Sequence, residues 1–314
     1  MTSSEPRLVA LDLDGTLLDP DGRIPERTRA AVRALRDAGV RIVLATGRSP
    51  WSTAPIADQL DLPGPHILMQ GGLVASRLDG LEGATLWATT LDRDLVLEQL
   101  AFARDEGLEP ILGFEHGYRA ERLAPEVLAL AWPNYAEGSH MQLVPSLAAV
   151  AGEGVIRTFL FTSPARHAQV GAAARRQFGE RVALTWGDEF GIELLARGVS
   201  KGAALQALAT RSGIPMQAVA AIGDGRNDLE MLTLAGRSAA MATAQPDVRE
   251  AAAMVAPSNA DEGILVALAT WFPWLNRVIE AGTGDGVSVA RSAGPSPEGT
   301  LAMAVSSGVD ESAA

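Results

Sequence analysis

Two aspartates lie near the start of the chain in the segment LDLDGT, residues 11–16. Asp12 and Asp14 follow a short apolar run, residues 7–11, of the kind that forms a buried parallel strand. Side chains two positions apart on a strand share a face, so both carboxylates point to the same place. Two crowded carboxylates repel each other unless a cation or a proton separates them. Because Mg²⁺ prefers oxygen ligands, the pair predicts a metal site, with a solvated loop as the simpler alternative.

A calcium-binding loop is a second interpretation of the same acids, and the spacing excludes it. Counting from Asp12, the fifth position is Thr16 and the sixth is Leu17. A calcium loop requires an acid or an amide at the fifth position and glycine at the sixth.

Two other segments place a polar group where a helix begins. In ATGR, residues 45–48, the Thr46 hydroxyl and the unpaired N–H groups of the next helix would form an oxyanion site. In VSKG, residues 199–202, Ser200 is the predicted helix cap and Lys201 lies in the first turn. The helix dipole disfavours a cation there by a few tenths of a kcal/mol, and a bound anion would reverse the penalty. Each signal is weak alone, since a threonine at a strand end and an exposed lysine are usually structural.

A second pair of acids occurs in the segment GDGRND, residues 223–228, after another short apolar strand. A turn followed by a helix cap would explain one of the two acids, Asp224 and Asp228, but not both. The segment therefore offers two more carboxylates at a strand end.

The predicted elements would bring these segments together. Strands at 7–11, 40–45, 66–69 and 218–222 alternate with helices at 25–38 and from residue 49, which indicates a parallel sheet. Ligands of such sheets bind outside the carboxyl ends of the strands, where all four segments lie. Between them, helices at 94–106 and 164–178 and strands at 155–162, 181–186 and 190–195 predict an inserted α+β unit. The last two strands are expected to form a hairpin across residues 187–189.

Taken together and in order, the four segments resemble the motifs of the haloacid dehalogenase superfamily, and specifically the Cof-like phosphatases, over residues 7–275. The resemblance implies an α/β fold with a Rossmann-like parallel core and an α+β cap. The core would comprise residues 1–85 and 198–275, and the cap residues 86–197. Residues 276–314, rich in Gly, Ala, Ser and Val, are expected to form a disordered tail.

The resemblance also implies roles for the acids. Asp12 would be the nucleophile, and Asp14 the general acid and base. Asp12, Asp224 and the backbone carbonyl of Asp14 would bind Mg²⁺, with Asp228 supporting that shell.

The remaining motif residues would contact the substrate. The candidates for holding phosphoryl oxygens are Thr46, Gly47, Lys201 and Asn227, and the candidates for facing the leaving group are Arg48 and Gln70. The sequence departs from the family pattern at Gln70-Gly71-Gly72, where an Asn-Gly-Ala-like turn is usual, and at Gly225, where Asn is frequent.

The expected function is a Mg²⁺-dependent phosphatase for a small phosphorylated metabolite, such as a sugar phosphate. A phosphotransferase or mutase would use the same residues, so the motifs leave that alternative open. A signalling receiver module fits poorly. Its phosphorylated Asp would follow a middle strand, whereas here the acid pair follows the first strand and the second motif offers Thr46 but no Asp. A metal-free dehalogenase would leave Asp14 and Asp224 without a cation to bind.

Composition narrows the other possibilities. The 314 residues carry a net charge of −12, which disfavours nucleic acid as a partner. The absence of cysteine excludes thiol nucleophiles and thiolate metal sites. No signal-peptide pattern and no bilayer-spanning apolar run is evident, so we expect a cytoplasmic protein without a membrane partner. The histidines show no metal-ligand spacing. Arg157 could meet an anionic substrate, but we interpret it as a solvated surface residue.

Overall fold

The computed structural model describes residues 5–78, 84–123, 140–188 and 191–281. Its centre is a five-stranded sheet, here the core sheet, in which all neighbouring strands are parallel. In spatial order its strands are Met254–Ala256, Arg237–Met241, Val219–Gly223, Leu8–Leu11 and Arg41–Leu44. The predicted parallel α/β core is confirmed.

The strand Leu8–Leu11 is buried on both sides because helices cover both faces of the core sheet. Val9 and Leu11 pack toward the helices Glu26–Asp37 and Gly263–Trp271, whereas Leu8 and Ala10 pack toward Lys201–Arg211 and Leu229–Leu234. This two-sided burial explains the unbroken apolar run that marks the strand in the sequence. The other core helices are Pro50–Gln59, Pro246–Ala251 and Leu275–Ala281.

A second, six-stranded sheet, here the cap sheet, is mostly antiparallel. In spatial order its strands are Val182–Asp188, Gly191–Ala196, Arg157–Phe161, Glu109–Phe114, Gly117–Ala120 and Met141–Leu143. The helices Arg93–Glu106 and Pro164–Phe178 pack against one face, through residues such as Leu160. The other face packs on the core side, where Phe159 joins Leu68, Met69 and Leu73 in one cluster. A short helix, Leu147–Val150, completes this region.

A three-stranded antiparallel sheet connects the two regions through His66–Leu68, Leu73–Ala75 and Thr85–Ala88. The last strand pairs with Leu73–Ala75, so the cap boundary predicted at residue 86 falls inside it. The exact domain boundaries stay a prediction.

The structure adds elements that the sequence pattern does not reveal. Four strands, Gly117–Ala120, Met141–Leu143, Arg237–Met241 and Met254–Ala256, are short or rich in Ala, which gives them weak strand signals. In a fifth, Glu109–Phe114, a proline and a glycine weaken the signal. The expected irregular tail from residue 276 is wrong at its start, because Leu275–Ala281 is a helix. Leu275 and Ile279, four positions apart, bury their side chains in the core. The rest of the predicted tail, residues 282–314, lies outside the described residues.

Within the described ranges, no helix combines the length and the apolar character that crossing a bilayer requires.

His66, the first residue of the strand His66–Leu68, is buried beside Leu44 of the core sheet. Its Nδ1 accepts a hydrogen bond from the backbone N–H of Leu44 at 3.2 Å, and its Nε2 lies 3.3 Å from the carbonyl oxygen of Leu62. Only a neutral ring with its proton on Nε2 satisfies both neighbours. Burial lowers the pKa of His66 to about 4, although the bond to Leu62 opposes this.

We expect His66 to make the fold sensitive to acid. In the unfolded chain a histidine has a pKa of about 6.5, so below that pH the unfolded state binds the proton first. The buried, neutral His66 therefore makes its full contribution to the free energy of unfolding above pH 6.5. This contribution is lost as the pH falls toward 4, and the total loss is about 3 kcal/mol. Urea unfolding of the wild type and His66→Asn at several pH values measures this loss. The stability gap between them should narrow in acid, whereas His116→Asn, a change of an exposed side chain, should follow the wild type. Parallel curves for the wild type and His66→Asn would contradict the assignment.

Candidate active site

The parallel register of the core sheet brings the chemical groups to one edge. Leu11 is aligned with Ile222 on one side and with Leu44 on the other. The residues that follow these strands therefore meet at the same place, and the Asp12 N–H donates to the carbonyl of Ile222 at 3.0 Å. The segments after these three strands therefore lie together, and Lys201 of the fourth segment joins them through its bonds to Asp12 and Asp228.

Lys201 lies between two carboxylates at the centre of the site. Its Nζ donates to Oδ1 of Asp12 and to Oδ1 of Asp228, each at 2.7 Å. Lys201 is the first residue of its helix, which Ser200 caps by accepting from the N–H of Ala203 at 2.9 Å. The lysine is only 1% exposed. The sequence suggested a bound anion as its partner, and the structure supplies two anionic side chains.

The electrostatics of this group follow from its burial. Burial lowers the pKa of Lys201, but the charges of Asp12 and Asp228 raise it by more, so the lysine stays protonated. Burial raises the pKa of Asp12 well above its ordinary value, and the neighbouring carboxylates act in the same direction against Lys201. The centre therefore holds more negative charge than one ammonium group balances.

Asp228 organises the turn beside this centre. Its Oδ2 accepts hydrogen bonds from the N–H groups of Asp224 at 3.1 Å and Gly225 at 2.9 Å. With Lys201 on its other oxygen, the fully buried carboxylate already accepts three hydrogen bonds. Asp228 thus holds Lys201 and the turn in place.

Asp224 completes a cluster of three acids. One carboxylate oxygen from each of Asp12, Asp224 and Asp228 lies within 4.8 Å of the others. Burial, followed by repulsion from Asp228, raises the pKa of Asp224 to about 6. Gly15 makes room for this acid, because a Cβ at that position would lie 2.2 Å from Oδ2 of Asp224. Gly15 also has a φ of +78°, which favours glycine.

The donors of this cluster fit a hard divalent cation. All are oxygens, and three carboxylates against one ammonium leave two negative charges at full ionisation. Burial, followed by repulsion between the acids, raises the pKa values of Asp12 and Asp224, and a bound cation would oppose both effects.

Arg48 and Asp14 form a second charged pair at the mouth of the site. The guanidinium donates to both carboxylate oxygens of Asp14, from Nε at 2.8 Å and from Nη2 at 2.5 Å. The Arg48 N–H also donates to Oγ1 of buried Thr46 at 3.0 Å. The Asp14 side chain is 52% exposed. Arg48, predicted to face the leaving group, lines the cavity and also holds Asp14.

Gln70 is a buried residue that connects the core to the cap. Its Nε2 donates to Oε1 of Glu193 at 3.1 Å, and its Oε1 accepts from Nδ2 of Asn227 at 3.0 Å. Gln70 was predicted to face the leaving group, and in the structure its amide is bonded to these two side chains. Asn227, predicted to hold phosphate, likewise donates to Gln70.

The interpretation of Arg157 as a solvated surface residue is wrong. It is buried, with Nη1 donating at 2.7 Å both to the carbonyl of Gly47 and to Oε2 of Glu193. Neither Arg157 nor Glu193 was identified from the sequence as a site residue. A signal was present, because each is a single charge in a strand that is otherwise mainly apolar, RTFLF and GIELLA.

A cavity of about 860 Å³ lies between the acids and the cap sheet. The motif side chains on the core wall are those of Asp12, Asp14, Thr46, Arg48, Gln70, Lys201, Asp224 and Asn227. The cap wall is largely apolar and aromatic, formed by residues such as Ile111, Tyr118, Met141, Phe159 and Trp186. The acids thus face a partly open cavity that a small molecule can enter.

Comparisons with known proteins agree with this geometry. The model of the haloacid dehalogenase-like hydrolase family matches residues 9–268. The chain is 31% identical over 243 residues to an HMP-PP phosphatase from Serratia proteamaculans, covering 77% of this chain and 86% of that protein. It is 29% identical over 279 residues to a 5-amino-6-(5-phospho-D-ribitylamino)uracil phosphatase from Bacillus subtilis, covering 82% and 95%.

A solved structure shows the same fold. A haloacid dehalogenase-like hydrolase from Bacteroides thetaiotaomicron superposes with a TM-score of 0.73 at 25% identity, covering 85% of this chain and 99% of the other. The family match extends through both parts of the core sheet and the cap sheet between them. The chain therefore belongs to the haloacid dehalogenase-like hydrolase family, as an enzyme of its Cof-like phosphatase branch.

Proposed function

We propose that this enzyme is a Mg²⁺-dependent phosphatase that hydrolyses a small phosphorylated metabolite through an aspartyl-phosphate on Asp12. The observation that carries the proposal is the position of Lys201, whose ammonium group joins Asp12 to Asp228 beside Asp224. One carboxylate oxygen of Asp12 is bonded to the lysine, while the cavity adjoins the same residue. A carboxylate held in this way is suited to attack a phosphorus atom placed in the cavity.

Asp12, Asp224 and the backbone carbonyl of Asp14 would hold Mg²⁺. When bound, the ion neutralises charge on the phosphoryl oxygens and on the carboxylates around them. Lys201 supplies positive charge from the other side, which favours the charge distribution of phosphoryl transfer.

The first step forms a bond between an Asp12 carboxylate oxygen and phosphorus and breaks the bond from phosphorus to the ester oxygen. Asp14 gives its proton to the departing oxygen, so the leaving group departs as an alcohol. Because Asp14 is bonded to Arg48 through both oxygens, that pair has to open when the substrate enters.

The second step returns the enzyme to its starting state. Asp14 takes a proton from a water molecule, whose oxygen attacks phosphorus and releases the Asp12 carboxylate together with inorganic phosphate. The Thr46 hydroxyl and the backbone around Gly47 adjoin the cavity where the phosphoryl oxygens would lie.

The leaving group is proposed to be small, as in a sugar phosphate or a related phosphomonoester. The related proteins named above act on phosphorylated small molecules, and the cavity has room for a molecule of that size. The apolar cap wall would select among leaving groups, with Arg48 and Gln70 facing it from the core, because Asp12, Thr46 and Lys201 would contact only the phosphoryl group that all substrates share.

A phosphate-release panel of sugar phosphates, nucleotides and cofactor phosphates tests the proposal. Free phosphate from at least one small phosphomonoester is the expected product. Isomerised sugar phosphate without free phosphate would identify a mutase instead. No turnover of any phosphomonoester in the presence of Mg²⁺ would contradict the proposed function.

Replacing Lys201 with alanine is expected to lower turnover of every substrate by a similar factor, about 100-fold, because it removes charge stabilisation of the transition state. It also leaves two buried carboxylates without their shared cation, so the free energy of unfolding should fall by about 3 kcal/mol. The comparison is Met141→Ala, a change in the cap wall that should reorder the substrates. Measuring kcat/KM on several substrates for both variants separates the two effects. A changed substrate ranking in Lys201→Ala would contradict this division between core and cap.

A further inference from the structure

A buried ion pair occupies the face of the cap sheet that looks toward the core. Arg157 and Glu193 lie on neighbouring strands, are 7% and 2% exposed, and bond to each other at 2.7 Å. Removing two charges from water costs free energy that their attraction repays only in part, so such a pair is weak evidence for stability. Its contacts indicate another role.

Each member of the pair is also connected to a core loop that carries candidate phosphate ligands, Arg157 directly and Glu193 through Gln70. Arg157 donates from Nη1 to the carbonyl oxygen of Gly47 at 2.7 Å. Glu193 accepts from Nε2 of Gln70, and Gln70 in turn accepts from Asn227. The pair is thereby connected to both sides of the phosphoryl site, the 46–48 loop and the 224–228 turn.

The backbone around this network leaves room for it. A Cβ at Gly47 would lie 2.3 Å from Nε2 of Gln70, so the loop needs glycine there for the amide to stay in place. Gln70 itself adopts φ +60° and ψ +21°, a left-handed conformation that is unfavourable for a residue other than glycine. Strain of this kind persists where surrounding contacts hold it, as the bonds to Glu193 and Asn227 do here.

The guanidinium of Arg157 is committed to protein groups. Nη1 donates to Gly47 and Glu193, and Nη2 donates to the hydroxyl of Tyr118. These bonds favour a role in which Arg157 acts on the loop rather than on the leaving group.

We propose that Arg157 and Glu193 are positioning residues for phosphoryl transfer. Arg157 holds the Gly47 carbonyl directly, and Glu193 holds the Asn227 side chain through Gln70. Together they set the geometry of the candidate phosphate-binding groups. The inference rests on the proposed function, and it gives the cap a second task besides selecting the leaving group.

Glu193→Gln is the sharpest test. The carboxylate accepts from Gln70 with one oxygen and from Arg157 with the other, whereas a glutamine has only one acceptor oxygen. One of the two bonds must therefore break with almost no change in shape. We expect kcat to fall about 10- to 100-fold, since small displacements of positioning groups have effects of that size, with less than a three-fold change in KM.

Further measurements separate positioning from recognition. In Glu193→Gln, kcat should fall by the same factor with p-nitrophenyl phosphate as with a sugar phosphate. Arg157→Lys keeps the positive charge but loses the planar guanidinium that donates to two groups at once, so its kcat should also fall. In the double variant Glu193→Gln/Arg157→Lys, kcat should fall by less than the product of the two single factors, because both changes break the same contact. Affinity for orthovanadate, measured by calorimetry, should fall at least three-fold in Glu193→Gln, which provides a readout without turnover.

The matched control is Glu153→Gln, which breaks the more exposed pair of Glu153 with Arg119 in the same region. Its kinetics should equal those of the wild type. Thermal unfolding verifies that each variant is folded at the assay temperature. If Glu193→Gln does not fold, Gln70→Met breaks the same connection from the core side and should show the same uniform loss.

Two results would overturn the inference. One is wild-type kcat in a folded Glu193→Gln or Gln70→Met enzyme with unchanged vanadate affinity. The other is a loss confined to one substrate, which would make the pair a recognition element for the leaving group. A wild-type enzyme that binds vanadate but releases no phosphate from any ester would instead contradict the proposed function.

Discussion

Replacing Asp12 with asparagine is expected to lower phosphatase activity by on the order of 10⁴-fold or more, as for the loss of other covalent nucleophiles. An amide is a poor nucleophile and a poorer metal ligand than a carboxylate. The fold should survive, because asparagine has the same shape and its Oδ1 can still accept the hydrogen bond from Lys201. The change also removes one of three crowded negative charges.

Phosphate release under steady-state conditions, with circular dichroism to verify folding, measures this effect. Asp21→Asn is the matched control, since Asp21 is an exposed acid away from the site. Beryllofluoride with Mg²⁺ should inhibit the wild type by imitating the acyl-phosphate, and should not bind the Asp12 variant. Substantial turnover by a folded Asp12→Asn protein would rule out the proposed mechanism.

Removing divalent metal is expected to abolish activity, and adding Mg²⁺ should restore it. The reason is the charge of the site, where three carboxylates have one ammonium group to balance them. Asp224→Ala should raise the Mg²⁺ requirement strongly or abolish activity, because Asp224 is the acid of the cluster with no bond to Lys201. Zinc should substitute poorly in a site that has only oxygen donors.

Chelation with EDTA followed by Mg²⁺ titration tests the metal requirement through activity, and calorimetry of Mg²⁺ binding tests it without turnover. Asp37→Ala, the removal of an exposed acid elsewhere, controls for the change in net charge. Full activity in exhaustively chelated buffer would exclude the metal, and unchanged Mg²⁺ affinity in Asp224→Ala would exclude that residue as a ligand.

The convergence of the motifs could be predicted from the sequence because it depends on local rules. An apolar run followed by acids identifies the end of a buried strand, as at Asp12 and Asp224. Parallel strands place their carboxyl ends at one edge, so the meeting point follows without knowledge of the whole fold. The helix cap at Ser200 and the parallel α/β core could be predicted for the same reason, since each depends on neighbouring residues.

The pairing of side chains was decided by the tertiary structure. Lys201 and Asp12 are 189 positions apart, and Gln70 and Glu193 are 123 positions apart. No local pattern reports which of several acids a lysine will reach, or that the cap sheet turns Arg157 toward the core. A charged residue in an apolar strand indicates burial with a partner, but only the packing of cap on core identifies that partner. The sequence by itself thus determined which groups are candidates for the proposed chemistry. The tertiary structure decided what holds them in position, because those contacts join segments brought together only by folding.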